Sequence, residues 1–434
     1  MKKRNIFLLI IPLLLLSSCI VKETANKKEN NKVNAVETSK IYAELINSGE
    51  YKKKDFYNEF SEQYKKNNDK NSLYKKIEHF NSITGPLKEI ERTQVSESSV
   101  IFQTDNEFRK STEIFSYDIN GKLSNISLFP GNIKKYKTTY YTMSPVELQR
   151  DNLIIPAALT MPVDEKKPKI AILISGLGPR DMNDTIGLNS NKPMEDIAIG
   201  LAKNKIASIR YDKSIIHGTS RNSIEDEYFK DFNACYNYIM SLDNIDKNNI
   251  FIIAHDYGAS LAPTLAKGKN IKGIVLLSGS LKHLSDIIAQ KNASIINESN
   301  GLSKEEKKLQ IDELSKIVNE AKNIDQNSKN NPFNLSPSFW ESINKLNLKR
   351  DLNEYKGNLL ILQGQNDFEI PPDNFYEYSK ILNNNPRASF KIYDKLSHIY
   401  SESDNNKYDL SIYNKRSKVS PIVINDIAYW INNN

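Results

Sequence analysis

The stretch that most constrains this chain is Asn249-Ile250-Phe251-Ile252-Ile253-Ala254-His255-Asp256-Tyr257-Gly258. Its first half is an unbroken run of β-branched and aromatic residues, the pattern of a strand buried on both faces of a parallel sheet. The run stops at a small-x-acid-x-Gly turn and passes into Ala259-Ser260-Leu261-Ala262, the start of a helix. So sharp a turn requires small residues at Ala254 and Gly258, where strand and helix pass closely. It also holds Asp256 in a strained backbone conformation, which Asp tolerates better than a β-branched residue would. Such a turn can exist for packing alone, and only the rest of the chain tells the two cases apart.

The N-terminus reads as a processing signal. Lys2-Lys3-Arg4 is a positive n-region, and Ile6 to Leu16 is an apolar stretch too short to span a membrane as a mature helix. Leu16-Ser17-Ser18-Cys19 resembles the lipobox of bacterial lipoproteins. That resemblance implies a signal peptide over 1–18, cleavage before Cys19 and lipidation of its thiol. The protein is then expected in the cell envelope, lipid-anchored to a membrane and facing outside the cytoplasm. The chain has two cysteines, Cys19 and Cys235. With Cys19 acylated no internal disulfide can form, and Cys235 reads as a small core residue. Residues 19–35, rich in Lys, Asn and Glu, read as a solvated tether. The net charge of +7 is spread along the chain, which fits mild attraction to anionic membrane surfaces and no nucleic-acid partner.

A chain of 434 residues, 39% of them hydrophobic, has room for two cores. Residues 36–132 carry helical spacing first (Ile41, Leu45, Tyr51, Phe56, Phe60, Tyr64, reaching Lys66, then Leu73 to Thr84). The period then changes to two over 89–95, 99–103, 113–117 and 123–129, with Asp118-Ile119-Asn120-Gly121 as a hairpin turn. This predicts a small α+β domain. It resembles an uncharacterised domain found ahead of hydrolase domains in bacterial lipoproteins, of SnoaL-like or cystatin-like type. A structural or substrate-presenting role follows, since His79 is its one histidine and no carboxylate cluster stands out.

Residues 135–434 open with an antiparallel pair and then alternate strand and helix. The fold class predicted is α/β, a doubly wound and mostly parallel sheet, with functional groups at the carboxyl ends of its strands. An insertion at about 281–350 reads as a lid. Its Ser303 to Ala321 helix has an apolar stripe suited to packing, and Pro332 and Pro337 break the chain after it. Phe333, Phe339 and Trp340 are candidates to line an apolar pocket for a small-molecule substrate, or simply to pack the lid. No metal-ligand spacing and no phosphate-binding glycine loop occurs, so neither metal nor cofactor is expected.

Five marks in this half belong together: Ser175-Gly176-Leu177-Gly178-Pro179, Arg210-Tyr211-Asp212-Lys213, the Asp256 turn, Asp367 after a late strand, and His398 after the last. With them the domain resembles the secreted bacterial α/β-hydrolases related to serine aminopeptidases and dienelactone hydrolases. The turn is similar to their G-x-S-x-G nucleophile elbow, with Ala254 for the first Gly and Asp256 in place of Ser. The family's chain order implies Asp367 as the triad acid and His398 as the base. Of the five histidines, His255 lies inside the elbow, His79 in the other domain, and His217 and His283 after the wrong strands. The resemblance also implies an oxyanion hole from the backbone N–H groups of Leu177 and Tyr257.

Aspartate at the elbow changes the chemistry. Its attack on an ester would give an anhydride, higher in energy than an acyl-serine, which disfavours ordinary esterase turnover. Displacement at saturated carbon suits it, because the resulting alkyl-enzyme ester can be hydrolysed by water that His398 activates. His255-Asp256-Tyr257-Gly258 is similar to the H-D-W-G elbow of haloalkane dehalogenases and epoxide hydrolases. The halide-holding Trp is replaced by Tyr257, however, and residues 281–350 contain no Tyr to act as an epoxide donor. The function expected is a membrane-anchored hydrolase of a small apolar substrate with an Asp-His-Asp triad. A silent hydrolase fold with a binding or envelope role stays open, as does direct activation of water by Asp256 and His398.

Overall fold

A computed structural model describes residues 22–434, with 188, 189, 326, 405 and 406 excepted. The signal peptide and Cys19 lie outside the described residues. Helix α1 (Lys22–Ser48) is helical over residues 22–35, where a solvated tether is expected. The helix expected to reach Lys66 stops at Gly49, whose φ of 78° turns the chain away. Tyr51, Phe56 and Phe60 then fold under it before α2 (Glu62–Asn67) starts. Ser61 caps α2 by accepting from Tyr64 N–H, and Asp69 caps α3 (Lys70–Thr84) in the same manner through Ser72 N–H.

Strands β1 (Leu87–Val95), β2 (Ser99–Asn106), β3 (Arg109–Tyr117) and β4 (Leu123–Ile133) follow as an antiparallel sheet in that order. Gly121, at φ 77°, turns β3 into β4 at the expected hairpin. The first core joins helix residues Ile46, Phe56, Ile77 and Phe80 to strand residues Val100, Phe102, Phe115 and Ile126. Along β3 every second side chain points inward, and Arg109, at its start, is buried with them.

The second sheet has nine strands: β5 (Tyr136–Lys137), β6 (Tyr141–Arg150), β7 (Leu153–Pro162), β8 (Ile170–Ile174), β9 (Ala207–Tyr211), β10 (Ile250–His255), β11 (Gly273–Leu277), β12 (Asn358–Gly364) and β13 (Ala388–Tyr393). Their spatial order is 13-12-11-10-8-9-7-6-5. β8 through β13 are parallel, and β5 to β7 run antiparallel at one edge. Ile170, Ile172 and Ile174 face one core while Ala171 and Leu173 face the other, so both sides of the sheet are covered. Helices α4 (Pro193–Lys203), α5 (Lys230–Ser241), α6 (Tyr257–Leu265), α11 (Asp373–Ile381) and α12 (Pro421–Asn433) supply the covering layers. Between β11 and β12 stands the insertion expected to form a lid: α7 (Leu284–Glu298), α8 (Lys304–Lys322), α9 (Pro337–Asn344) and α10 (Leu348–Glu354). This is the doubly wound, mostly parallel α/β architecture that the alternation of strands and helices predicts.

Strand β8 lies between β9 and β10, so the chain reverses its direction of winding there. The crevice beyond the carboxyl ends of β8 and β10 is the topological switch point, where ligands bind in open α/β sheets. No helix among the described residues is long and apolar enough to cross a membrane.

The two domains are locked by one buried fork. Arg109 reaches Asp212 just past β9, NH1 to Oδ1 at 3.0 Å and NH2 to Oδ2 at 2.5 Å, and its Nε donates to Gly131 O at 2.8 Å. Burial would raise the Asp212 carboxyl, but Arg109 and His217 hold it at about 2. Arg109→Met would leave that carboxylate without its fork. The expected cost is about 3–5 kcal/mol, read as a lower urea midpoint in Trp fluorescence. Both tryptophans, Trp340 and Trp430, lie in the second domain, so an unchanged midpoint would show that the fork does not support it.

Candidate active site

Asp256 ends β10 with φ 53° and ψ −127°, and α6 begins at the next residue. This is the strained apex that the turn requires. A Cβ on Gly258 would stand 2.6 Å from Ser175 O, so the second small position admits no side chain. Ser260 does not line the cavity beside Asp256, and its Oγ accepts from Ser280 N–H at 3.1 Å.

Two backbone bonds stitch the loop after β12 to the loop after β13, from Gln365 N–H to Tyr393 O and from Asn366 N–H to Leu396 O. They bring Asp367 and His398 together, and His398 Nδ1–H donates to Asp367 Oδ2 at 2.9 Å. Asp367 Oδ1 accepts from Glu369 and Ile370 N–H, and Gln363 Nε2 donates to Oδ2, so the acid is held rigidly. His398 and Asp256 share one small cavity with Gly176, Arg180, His255 and Glu369. The space is about 10 Å³, room for a single water. Larger hollows of about 690 and 960 Å³ are open surface grooves lined by none of these residues.

Leu177 N–H donates to Asp256 Oδ2 at 3.3 Å. One carboxylate oxygen therefore sits against the donor expected of an oxyanion hole. The other, Oδ1, faces Lys291 of α7, whose Nζ is 3.6 Å away and also 3.3 Å from Glu369 Oε2. Tyr257 opens α6, and its buried ring meets Tyr228 edge-on at 6.3 Å. Phe333, Phe339 and Trp340 pack on one another at the base of the lid, with Trp340 Nε1 donating to Pro332 O. None of the three lines the cavity.

The charges in this space are mutually dependent. Burial works against Asp256 ionising, but Lys291, His398, His255 and Arg180 together hold it far below the usual carboxylate range. Burial also raises Glu369, and His398 and Lys291 bring it down to about 2. Lys291 is pushed down by burial and carried well above its ordinary value by Asp256 and Glu369. For His398, burial favours the neutral ring; Asp367, Glu369 and Asp256 outweigh it and raise the imidazole to about 9.

Several members of this set carry no local sequence signal. Lys291 comes from the lid, far from the elbow in sequence. Asp184 Oδ2 lies 3.1 Å from His255 Nδ1, and His255 Nε2–H donates to His398 O at 2.9 Å. Arg180 lies 3.4 Å from Asp184. The i, i+4 spacing of Arg180 and Asp184, and Glu369 two places after Asp367, are the only traces a reader of the sequence could follow. Among the described residues, no group of three or more His, Cys, Asp and Glu could hold a metal ion.

No family model matches the chain. The chain is 20% identical over 367 residues to a curated relative, "Esterase EstD" of Thermotoga maritima, covering 83% of this chain and 85% of the relative. That span is longer than the second domain alone. Among solved structures it is similar to Est1E from Butyrivibrio proteoclasticus, with TM-score 0.44, 15% identity, and 67% of this chain against 99% of that one. It is also similar to the esterase domain of a Rhodothermus marinus protein, with TM-score 0.41, 14% identity, and 67% against 98% coverage.

The raised His398 has a checkable consequence. Relative to its ordinary 6.5, a folded value of about 9 means that the imidazolium's stabilising contribution is complete below pH 6.5 and lost as pH climbs through 9. An NMR titration of the ring C–H should show its midpoint near 9, and Asp256→Asn should lower it by removing one of the anions. A midpoint below 7 in the unaltered protein would contradict this charge balance.

Proposed function

We propose that this chain is a hydrolase in which Asp256 is a carboxylate nucleophile, His398 the base and Asp367 its orienter. Its substrate would be a small molecule with a leaving group on saturated carbon. The observation that supports this reading is the bond from Leu177 N–H to Asp256 Oδ2 at 3.3 Å. It leaves Oδ1 to attack, and it sets a donor where charge must develop in the second step.

The chemistry runs as two displacements. Asp256 Oδ1 forms a bond to the substrate carbon, and the leaving group departs with its electron pair, aided by the Lys291 ammonium. Asp256 is now a neutral ester, so one anion holding the His398 proton is gone and the ring can lose it to solvent. His398 then takes a proton from water, which attacks Asp256 Cγ; negative charge collects on Oδ2, against Leu177 N–H. Collapse releases the alcohol, protonated by His398, and leaves Asp256 as the carboxylic acid, whose proton passes to His398 and restores the resting carboxylate and imidazolium. The balance is R–X plus water giving R–OH and HX.

The relatives are named as esterases, and hydrolase is the coarser class their likeness supports. Ester cleavage through an acyl-serine lacks support at this site, because the hydroxyl is absent and Oδ2 already occupies the N–H donor. A second reading draws on the closed cavity. With Lys291 between Asp256 and Glu369 and about 10 Å³ free, α7 must move before a substrate enters. A lid that never opens would leave a silent hydrolase fold with a binding or envelope role.

We propose also that Cys19 carries a lipid anchor outside the cytoplasm, supported by the Lys2-Lys3-Arg4, Ile6–Leu16 and Cys19 pattern. Cells fed a labelled fatty acid should label the full chain and leave Cys19→Ser unlabelled. For the reaction, His398→Gln should block the second displacement and trap the first product. Exposed to pooled alkyl halides, epoxides and esters, it is expected to gain an adduct on Asp256 by intact mass and peptide mapping. No adduct, with no turnover by the unaltered protein on the same pool, would favour the silent reading.

A further inference from the structure

Behind the oxyanion loop lie charged groups that take no part in the steps above. Lys213, just past β9, and Glu227 are both nearly excluded from solvent, at 2% and 0% side-chain exposure. Lys213 Nζ is 2.8 Å from Glu227 Oε1 and donates to Gly176 O at 2.5 Å. Glu227 Oε1 also accepts from Gly178 N–H at 2.7 Å, and Arg221 Nε donates to Oε2. The Lys213 ammonium also stands 3.6 Å from the centre of the Tyr228 ring. Glu227 belongs to a single π turn (Glu225–Phe229), a local widening of the helix that leads into α5. A buried ion pair is seldom the most stabilising filling for a core, so its presence here calls for another role.

That role follows from the geometry of one peptide. The Gly176 C=O and the Leu177 N–H belong to a single planar trans amide and point in opposite directions. Lys213 holds the oxygen on one side, and on the other the N–H meets Asp256 Oδ2. The next peptide is fixed at both ends too, Gly178 N–H by Glu227 and Leu177 O by Arg180 Nε at 3.3 Å. A cation on the C=O draws electron density through the amide and makes its N–H a better donor. We propose that Lys213, held by Glu227, is a positioning residue that aims and polarises the Leu177 N–H at the reacting carboxyl.

The inference rests on the carboxylate-nucleophile reading and predicts an asymmetry within it. Forming the alkyl ester removes charge from Asp256, so a weaker Leu177 donor does not slow that step. Breaking the ester puts charge on Oδ2, so the same weakening does slow it. A residue that served the fold alone would affect both steps alike. Burial pulls the Lys213 ammonium down to about 8 while Glu227 works the other way, so it is largely charged at neutral pH.

The test uses the full chain with His398 intact and whichever probe alkylates the His398→Gln variant. In Lys213→Met, ester formation should be little changed and ester breakdown slowed about 10- to 100-fold, somewhat less than direct loss of an oxyanion donor costs. The Asp256 adduct should then accumulate during turnover, visible by intact mass, and Lys213→Arg should restore breakdown at least in part. Equal slowing of both steps, or of neither, in a folded Lys213→Met protein would overturn the inference. Should that variant not fold, Glu227→Gln, which loosens Lys213 while keeping an acceptor for Gly178 N–H, is judged by the same two rates. If His398→Gln takes up none of the probes, the nucleophile reading fails and this inference falls with it; an adduct there without accumulation in the lysine variant sinks the inference alone.

Discussion

Everything in the second domain's crevice depends on charges that have been taken out of water together. Asp256, Glu369 and Asp184 line one small space with Asp367 beside it, and carboxylates buried so close together need partners. Each has a cationic or N–H partner at hand: Lys291 for Asp256 and Glu369, His398 for Asp367, Arg180 and His255 for Asp184. The arrangement is close to neutral only as a set. Changing the charge of one member changes the proton affinity of the others, and a two-step displacement needs such a coupling. Turning Asp256 into an ester is what would let His398 change from a held acid to a base.

The loop after β8 is where the separate parts of the molecule meet. Its Leu177 N–H touches Asp256, its Gly176 and Gly178 are clamped by Lys213 and Glu227, and Met182 N–H donates to the same Asp212 that Arg109 forks. The first domain is therefore joined to the site through Arg109 and Asp212, and not merely carried beside it. Lys213 follows Asp212 directly, so one short turn past β9 both receives the first domain and grips the loop after β8.

The lid adds the remaining constraint. Lys291 from α7 spans Asp256 and Glu369, so this helix supplies the cation that balances both carboxylates. The aromatic residues deeper in the lid brace it. Trp340 is fully buried, stacked on His283 and bonded to Pro332. They set where α7 can sit while contributing no wall to the cavity.

What the sequence determined by itself was the sheet and the positions along it. The β-branched run at 250–253, stopped by a small-x-acid-x-Gly junction, reads as a buried strand entering a tight turn, because β-branching and small residues act locally. The chain order then placed Asp367 and His398 at the ends of neighbouring strands, where they meet. The break of the first helix at Gly49 was less legible, since the apolar spacing continues through residues 51–64 while the backbone does not. The tertiary structure alone decided that Leu177 faces Asp256, that Lys291 reaches down from the lid, that Arg109 belongs to Asp212, and that Phe333, Phe339 and Trp340 pack away from the cavity. Those contacts join residues far apart in the chain, where no periodicity or turn chemistry links the partners; only the folded backbone brings them within the few ångströms over which charge and hydrogen bonding act.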